Sequence, residues 1–138
     1  MIGALLSFMF IVSSPLHWQI TASTKAKASE MMENTLARYS ATLDANDLIY
    51  PFDSSSDRNP QPYLSKIKAP SIAINSVDNQ VNTSKLGLME KEIKNVKKER
   101  YILLLITDKA TGHGTHSNPK IKKNYLKELL EKSQPQMR

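Results

Sequence analysis

The sequence contains no cysteine in its 138 residues. This absence excludes disulfide bonds, thiolate zinc sites and thiol nucleophiles in one step. It does not identify a compartment, because a protein without thiols suits both reducing and oxidising surroundings. Cytoplasm and periplasm therefore both remain open.

Apolar runs long enough to cross a bilayer are also lacking. The run at the amino terminus, Ile2 to Val12, has eleven residues, whereas a spanning helix needs about 20. No Lys or Arg precedes the run and no small-x-small cleavage site follows it closely, although its length suits the apolar region of a signal peptide. The alternative is a buried helix, and we expect no membrane partner.

Positive charge is in only moderate excess, and the net charge is +6. The lysines are not interleaved with aromatic residues, so we expect no nucleic-acid partner. Hydrophobic residues make up 40% of the chain and charged residues 23%. These values are typical of an ordinary globular domain.

The first half of the chain has a helical pattern. Thr24 to Leu43 is rich in helix formers, and its apolar residues recur every three or four positions, which predicts an amphipathic helix. The segment Tyr50 to Tyr63 is polar and interrupted by proline, which predicts a loop.

From Ala69 onward the pattern is strand, loop, helix, strand, loop, helix. Such alternation is typical of a parallel sheet covered by helices, which is an α/β fold. Ile72–Ile74 and Ile102–Ile106 are apolar without alternation. We expect them to be adjacent parallel strands, buried on both faces.

Two loops at the carboxyl ends of these strands carry polar side chains. Asp78 follows the first strand and His113 follows the second. Functional groups gather at this edge of a parallel sheet. An Asp that orients a His is the supporting pair of a nucleophilic triad, so we predict His113 as general base and Asp78 as its orienting acid.

The sequence also bears on two other roles for the histidines, metal binding and helix capping. A zinc site would need a third ligand, and His17 is far away in the sequence. We therefore expect no metal and no cofactor. His116 lies closer to the helix that Pro119 begins, where capping or packing is the usual role. Gly112 and Gly114 give His113 the backbone freedom to turn its ring toward the acid loop.

Four stretches of the chain carry a resemblance to a known family: SSPLHWQ, LDANDLIYPFDSSSDRNPQPYLSKIKAP, AINSVDNQVN and GHGTH. They resemble the carboxyl-terminal half of bacterial α/β-hydrolases of the homoserine O-acetyltransferase-like group. The resemblance implies a partial α/β-hydrolase fold, with residues 1–50 as lid helices, residues 51–68 as a connecting loop, and residues 69–138 as the last parallel strands with flanking helices. It also implies acyl-ester hydrolysis or O-acyl transfer through a Ser-His-Asp triad, and it favours a lid helix for Ile2 to Val12.

The chain departs from this family in two ways. No serine lies in a G-x-S-x-G elbow, because none of the four glycines frames one. The family commonly has two acids where this chain has Asp78 and Asn79, so the triad acid belongs at one of these two positions. We therefore expect the chain to be inactive alone, with a small acyl ester as its partner only if the missing amino-terminal half completes it.

The alternative function is a non-catalytic interaction module, or the remnant of a split gene. Its open sheet edge would favour self-association, since unpaired strand edges are prone to pair with other chains.

Overall fold

The computed structural model describes residues 2–133. Within them lie six α-helices, two β-strands and three short 3-10 helices. The α-helices are α1 (Ile2–Val12), α2 (Pro15–Thr21), α3 (Lys25–Thr42), α4 (Ala45–Asp53), α5 (Leu88–Ile93) and α6 (Pro119–Lys132). The strands are β1 (Ser71–Ser76) and β2 (Glu99–Leu104), and the 3-10 helices are Gln61–Lys66, Ser84–Leu86 and Gly112–Ser117.

The predicted helices of the first half are present. α3 begins after Thr24, whose Oγ1 accepts a hydrogen bond from the Lys27 N–H over 3.3 Å. This is the usual N-cap arrangement, in which a side-chain oxygen satisfies a free backbone donor. α1 packs against α3 and buries Leu5 and Met9, which agrees with the interpretation of Ile2 to Val12 as a packed helix.

The segment predicted as a proline-broken loop from Tyr50 is partly helical. α4 begins after Asp44, whose Oδ1 accepts from the Asn46 N–H over 2.7 Å, and it continues through Pro51 to Asp53. The expected boundary between residues 50 and 51 therefore falls inside a helix. Pro51 is tolerated because only the last two residues of the helix follow it, so the helix is near its end in any case.

β1 and β2 are adjacent and parallel, as the sequence predicts, with Ser71 opposite Glu99 and Ser76 opposite Leu104. α5 lies between them in the chain and packs against β2. The helix is short, because Gly87 adopts a left-handed conformation with φ 64° and separates α5 from the preceding 3-10 helix.

The prediction that both strands are buried on both faces is wrong. β2 ends at Leu104, and the next two residues of the apolar run, Leu105 and Ile106, are 75% and 46% exposed. Leu103, inside the strand, is 39% exposed. A continuous apolar run is buried on both faces only where layers cover both, and this sheet has two strands among the described residues.

The predicted fold class, a partial α/β-hydrolase fold, is also wrong. Residues 2–133 are 60% helical with only two short parallel strands, and they form a small helix-rich domain. The alternation of strand and helix after Ala69 is real, and among the described residues it forms one β-α-β unit followed by α6.

α6 completes the domain next to the sheet. Asn118 caps it, accepting from the Lys120 N–H over 3.1 Å, and Pro119 occupies its first turn as predicted. Glu128 of α6 forms an ion pair with Arg100 of β2. The helix also contacts β1 and the 3-10 helix that carries both loop histidines.

In the described part of the chain, no single helix combines the length and apolarity needed to cross a membrane. α1 and α2 meet that test of length and composition only together, and a bend of 96° separates them.

Candidate functional site

The candidate site lies where β1 and β2 end side by side. Ser76 and Leu104 are opposite each other in the sheet, and the Val77 N–H donates to the Leu104 carbonyl over 3.0 Å. Because the strands are parallel, the loops that follow them leave from the same edge. Asp78 and Asn79 are in the first loop, and His113 is in the second.

Asn79, and not Asp78, faces the ring of His113. The Nδ1 atom of His113 lies 3.3 Å from Oδ1 of Asn79. The same oxygen accepts hydrogen bonds from the backbone N–H groups of Val81 and Asn82, each over 3.1 Å. The Oδ1 atom of Asn79 therefore both stabilises its own loop and contacts the ring of His113.

Asn75, near the end of β1, holds Asn79 in place through a hydrogen bond. It is only 4% exposed, and its Oδ1 accepts from the Asn79 amide over 3.0 Å and from the Ser76 N–H over 2.9 Å. Its own amide donates to the Asn82 carbonyl over 2.8 Å. Buried polar groups are normally hydrogen-bonded, and these three contacts satisfy the Asn75 oxygen and one of its two N–H donors.

Asp78, predicted as the orienting acid, makes other contacts. Its Oδ2 accepts from the Gly112 N–H over 2.9 Å, and its Oδ1 accepts from the Ser76 hydroxyl. Desolvation raises the pKa of Asp78, but hydrogen bonds from Ser76, the Gly112 N–H and Ser14 outweigh it and lower the pKa below its usual value. Asp78 therefore joins the two loops as a carboxylate.

Gly112 is required at the start of the histidine loop. Its φ of 64° is left-handed, and a Cβ atom there would collide with the carbonyl of Ser13, between α1 and α2. The neighbouring Ser14 is buried. The segment between α1 and α2 therefore packs directly against the start of the histidine loop.

His113 and His116 are neighbours, with ring centroids 4.6 Å apart. Nδ1 of His116 contacts the backbone carbonyl of His113, so this ring is bound within its own short helix. Desolvation lowers the pKa of His113, and the positive charge that His116 can carry lowers it further. The lowered pKa favours the neutral ring, which is the form that a general base needs.

A small cavity of about 260 Å³ adjoins these groups. Apolar side chains of both strands line it, Ile72, Ile74 and Leu104 among them, together with the polar groups of Asn79 and His113. It lies just below the usual size of small-molecule sites, about 300–1,000 Å³.

A metal centre has no support in the described residues, where no three His, Cys, Asp or Glu side chains lie close enough to hold an ion. His17, the third histidine of the sequence, belongs to α2, and its Nδ1 is buried without a hydrogen-bond partner in the part of the chain that the structure describes.

Sequence reasoning missed Asn75 and Ser76 as members of the site. Both are buried polar residues at the carboxyl end of a strand. The available signal was their position: two polar residues end an otherwise apolar run, immediately before the acid loop.

Comparison of the chain with protein-family models, curated proteins and solved structures found no match.

Proposed function

We propose that this chain supplies the general-base half of an acyl-ester site, acting in ester hydrolysis or O-acyl transfer. The observation that supports the proposal is the 3.3 Å contact between His113 Nδ1 and Asn79 Oδ1, made across the ends of two adjacent parallel strands. The sequence resemblance to homoserine O-acetyltransferase-like hydrolases points to the same chemistry. The proposal concerns the site and does not depend on the fold of that family.

In this chemistry His113 takes the proton of a serine hydroxyl as the serine attacks the acyl carbon, and returns it to the leaving group. These 138 residues contain no G-x-S-x-G elbow. The nucleophile would come from another polypeptide segment, which packs against the edge where β1 and β2 end.

Asn79 orients the ring of His113 but brings no negative charge to it. An acid in this position stabilises the imidazolium that forms during the reaction. The completed site would therefore be slow, and a carboxylate at position 79 would accelerate it.

The test is to reconstitute the site. The DNA upstream of this reading frame is searched in all three frames for a segment encoding G-x-S-x-G, and that segment is co-expressed with the chain. Turnover of a short-chain aryl ester should then depend on both the elbow serine and His113, and Asn79→Asp should increase it. An Asp108→Asn variant, changed at an exposed position in the same loop, is the matched control and should keep the activity.

Two results would contradict the proposal. One is a purified complex of the two segments without turnover in either the wild-type or the Asn79→Asp form. The other is turnover that survives His113→Ala.

A non-catalytic interaction module is the second candidate. An apolar groove of about 540 Å³ lies between α1 and α4, and Phe8, Ile11 and Phe52 are among its lining residues. Phe52, Ile49 and Ile11 are exposed. Apolar patches of this kind commonly mark protein contacts. Sedimentation velocity over a range of protein concentrations separates the alternatives. A double variant, Ile49→Ser with Phe52→Ser, should dissociate a complex formed through the groove and leave the His113–Asn79 site unchanged.

A further inference from the structure

The amide of Asn79 has only one orientation that satisfies its neighbours. Its Oδ1 accepts from the backbone N–H groups of Val81 and Asn82, and its Nδ2 donates to Oδ1 of Asn75. Turning the amide over would set the NH2 group against two N–H donors and the oxygen against another oxygen. All three hydrogen bonds would be lost.

The orientation of Asn75 is fixed in turn by the backbone. Its Oδ1 accepts from the Ser76 N–H, and its Nδ2 donates to the Asn82 carbonyl. Backbone donors and acceptors cannot exchange roles, so the direction of both amides is set by the path of the chain at the end of β1. The orientation therefore follows from the hydrogen-bond network itself, which is the proper basis for assigning an amide.

This network determines the proton position on His113. Nδ1 of the ring faces an oxygen that can only accept, so Nδ1 must carry the hydrogen for the contact to be a hydrogen bond. Nε2 then keeps its lone pair, which is the form of the ring that can take a proton from a hydroxyl.

We propose that Asn79 is a positioning residue that selects the Nδ1–H tautomer of His113, by means of a backbone-anchored pair of amides and without a charge. Its catalytic meaning rests on the proposed function, although the tautomer itself can be measured without any substrate. The resemblance places an acid at position 78 or 79. The amide of Asn79 thus keeps the orientation of the His113 ring, although it lacks the negative charge of an acid.

The test is nuclear magnetic resonance on the full chain labelled with ¹⁵N. Long-range ¹H–¹⁵N correlations at a pH where His113 is neutral distinguish the nitrogen that carries hydrogen from the one with the lone pair. We expect His113 to show hydrogen on Nδ1 and a lone pair on Nε2. A wild-type spectrum with hydrogen on Nε2, or with averaged nitrogen shifts, would overturn the inference.

Three variants sharpen this result. Asn79→Asp should keep the tautomer and raise the titration midpoint of His113 by about one pH unit, because an adjacent opposite charge favours the protonated ring. Asn79→Leu removes the acceptor and should move the hydrogen to Nε2 or average the two forms. His116→Ala is the control and should leave the tautomer of His113 unchanged.

A folded Asn79→Leu variant that retains the Nδ1–H tautomer would refute the role of Asn79. If this variant does not fold, the wild-type and Asn79→Asp spectra decide the matter, since hydrogen on Nε2 in either one contradicts the inference. The two proposals fail separately: an Nδ1–H tautomer in a chain that never supports ester turnover refutes the acyl-ester function and leaves the role of Asn79 intact.

Discussion

The backbone N–H of Gly112 donates to Oδ2 of Asp78 over 2.9 Å, and this hydrogen bond joins the loops that follow β1 and β2. The carboxylate also accepts from the Ser76 hydroxyl, so it connects the end of β1 to the first residue of the histidine helix. Asp78 therefore positions His113 indirectly, by holding the loop from which the ring projects.

Replacing Gly112 by alanine should destabilise the protein strongly. The left-handed φ costs about 1–2 kcal/mol for an L-residue, and the new Cβ would also collide with the Ser13 carbonyl. Gly87→Ala is the matched control, because Gly87 has the same φ of 64° and open space around the position of a Cβ. Urea unfolding should show a larger loss for Gly112→Ala than for Gly87→Ala, and equal losses would contradict the proposed packing against Ser13.

Asp78→Asn should lower the free energy of unfolding by about 1–3 kcal/mol at pH 7, since hydrogen bonds to a charged group are lost. The pKa of Asp78 is lowered in the folded state. Its stabilisation is therefore present above the unfolded pKa, near 3.8, and is lost as the pH falls through the folded pKa. The Asp78→Asn variant should lack this acid dependence.

Asp108→Asn is the control for this substitution. Asp108 is an exposed residue of the loop that follows β2. Substitutions at exposed positions commonly change the free energy of unfolding by about 0.5 kcal/mol or less. Unfolding curves of the wild type and the two variants between pH 3 and pH 7 give the comparison. If the free energy of unfolding of Asp78→Asn falls with acid as much as that of the wild type, the Asp78 hydrogen bonds do not stabilise the fold as described.

The titration of His113 should also affect stability. Desolvation and His116 lower its pKa in the folded state, so the unfolded chain binds the proton first as the pH falls. Stability from this residue is present above the unfolded pKa, near 6.5, and decreases below it. His116 and Lys122 are the basic side chains that share the cavity with His113, and Asn79 is neutral.

Two measurements check this prediction. The titration midpoint of His113, followed by nuclear magnetic resonance, should lie below 6.5 and should rise in His116→Ala, which removes the neighbouring positive charge. Unfolding of a His113→Gln variant should depend less on pH between about 5 and 7 than unfolding of the wild type. A midpoint above the ordinary value for histidine would show that the ring is not desolvated as described.

The purified chain alone should not hydrolyse a short-chain aryl ester faster than its His113→Ala variant. The general base has no serine of a G-x-S-x-G elbow to deprotonate in these 138 residues. A spectrophotometric assay of aryl ester cleavage, with matched protein concentrations, is sufficient. Turnover that disappears in His113→Ala would reveal a nucleophile within the chain.

Local signals in the sequence were sufficient for much of the secondary structure. The capping residues Thr24 and Asn118 mark the starts of α3 and α6, and the hydrogen bonds that they make are short-range. The parallel pairing of β1 and β2 was also predictable, because a helical segment separates two apolar runs. The capping contacts depend on residues close together in the chain, whereas the strand pairing joins distant residues such as Ser71 and Glu99.

The extent of the sheet and the choice between Asp78 and Asn79 were not predictable. The run from Arg100 to Thr107 has the same composition whether or not other strands cover it, so it could not show that β2 ends at Leu104. Which of two adjacent loop residues faces His113 depends on the turn formed by the Val81 and Asn82 N–H groups. That turn is defined by backbone geometry, which the residue types at 78 and 79 do not encode.

The site also has a consequence for the order of folding. Asp78 and Gly112, like Asn79 and His113, are 34 residues apart in the chain. Closing a loop of this length costs entropy that grows as the logarithm of the number of residues. Helices such as α3 can form from neighbouring residues in about a microsecond, whereas the pairing of His113 with Asn79 must wait for the distant strand ends to meet. The histidine therefore acquires its orientation only at the stage when the most distant contacts of the sheet have formed.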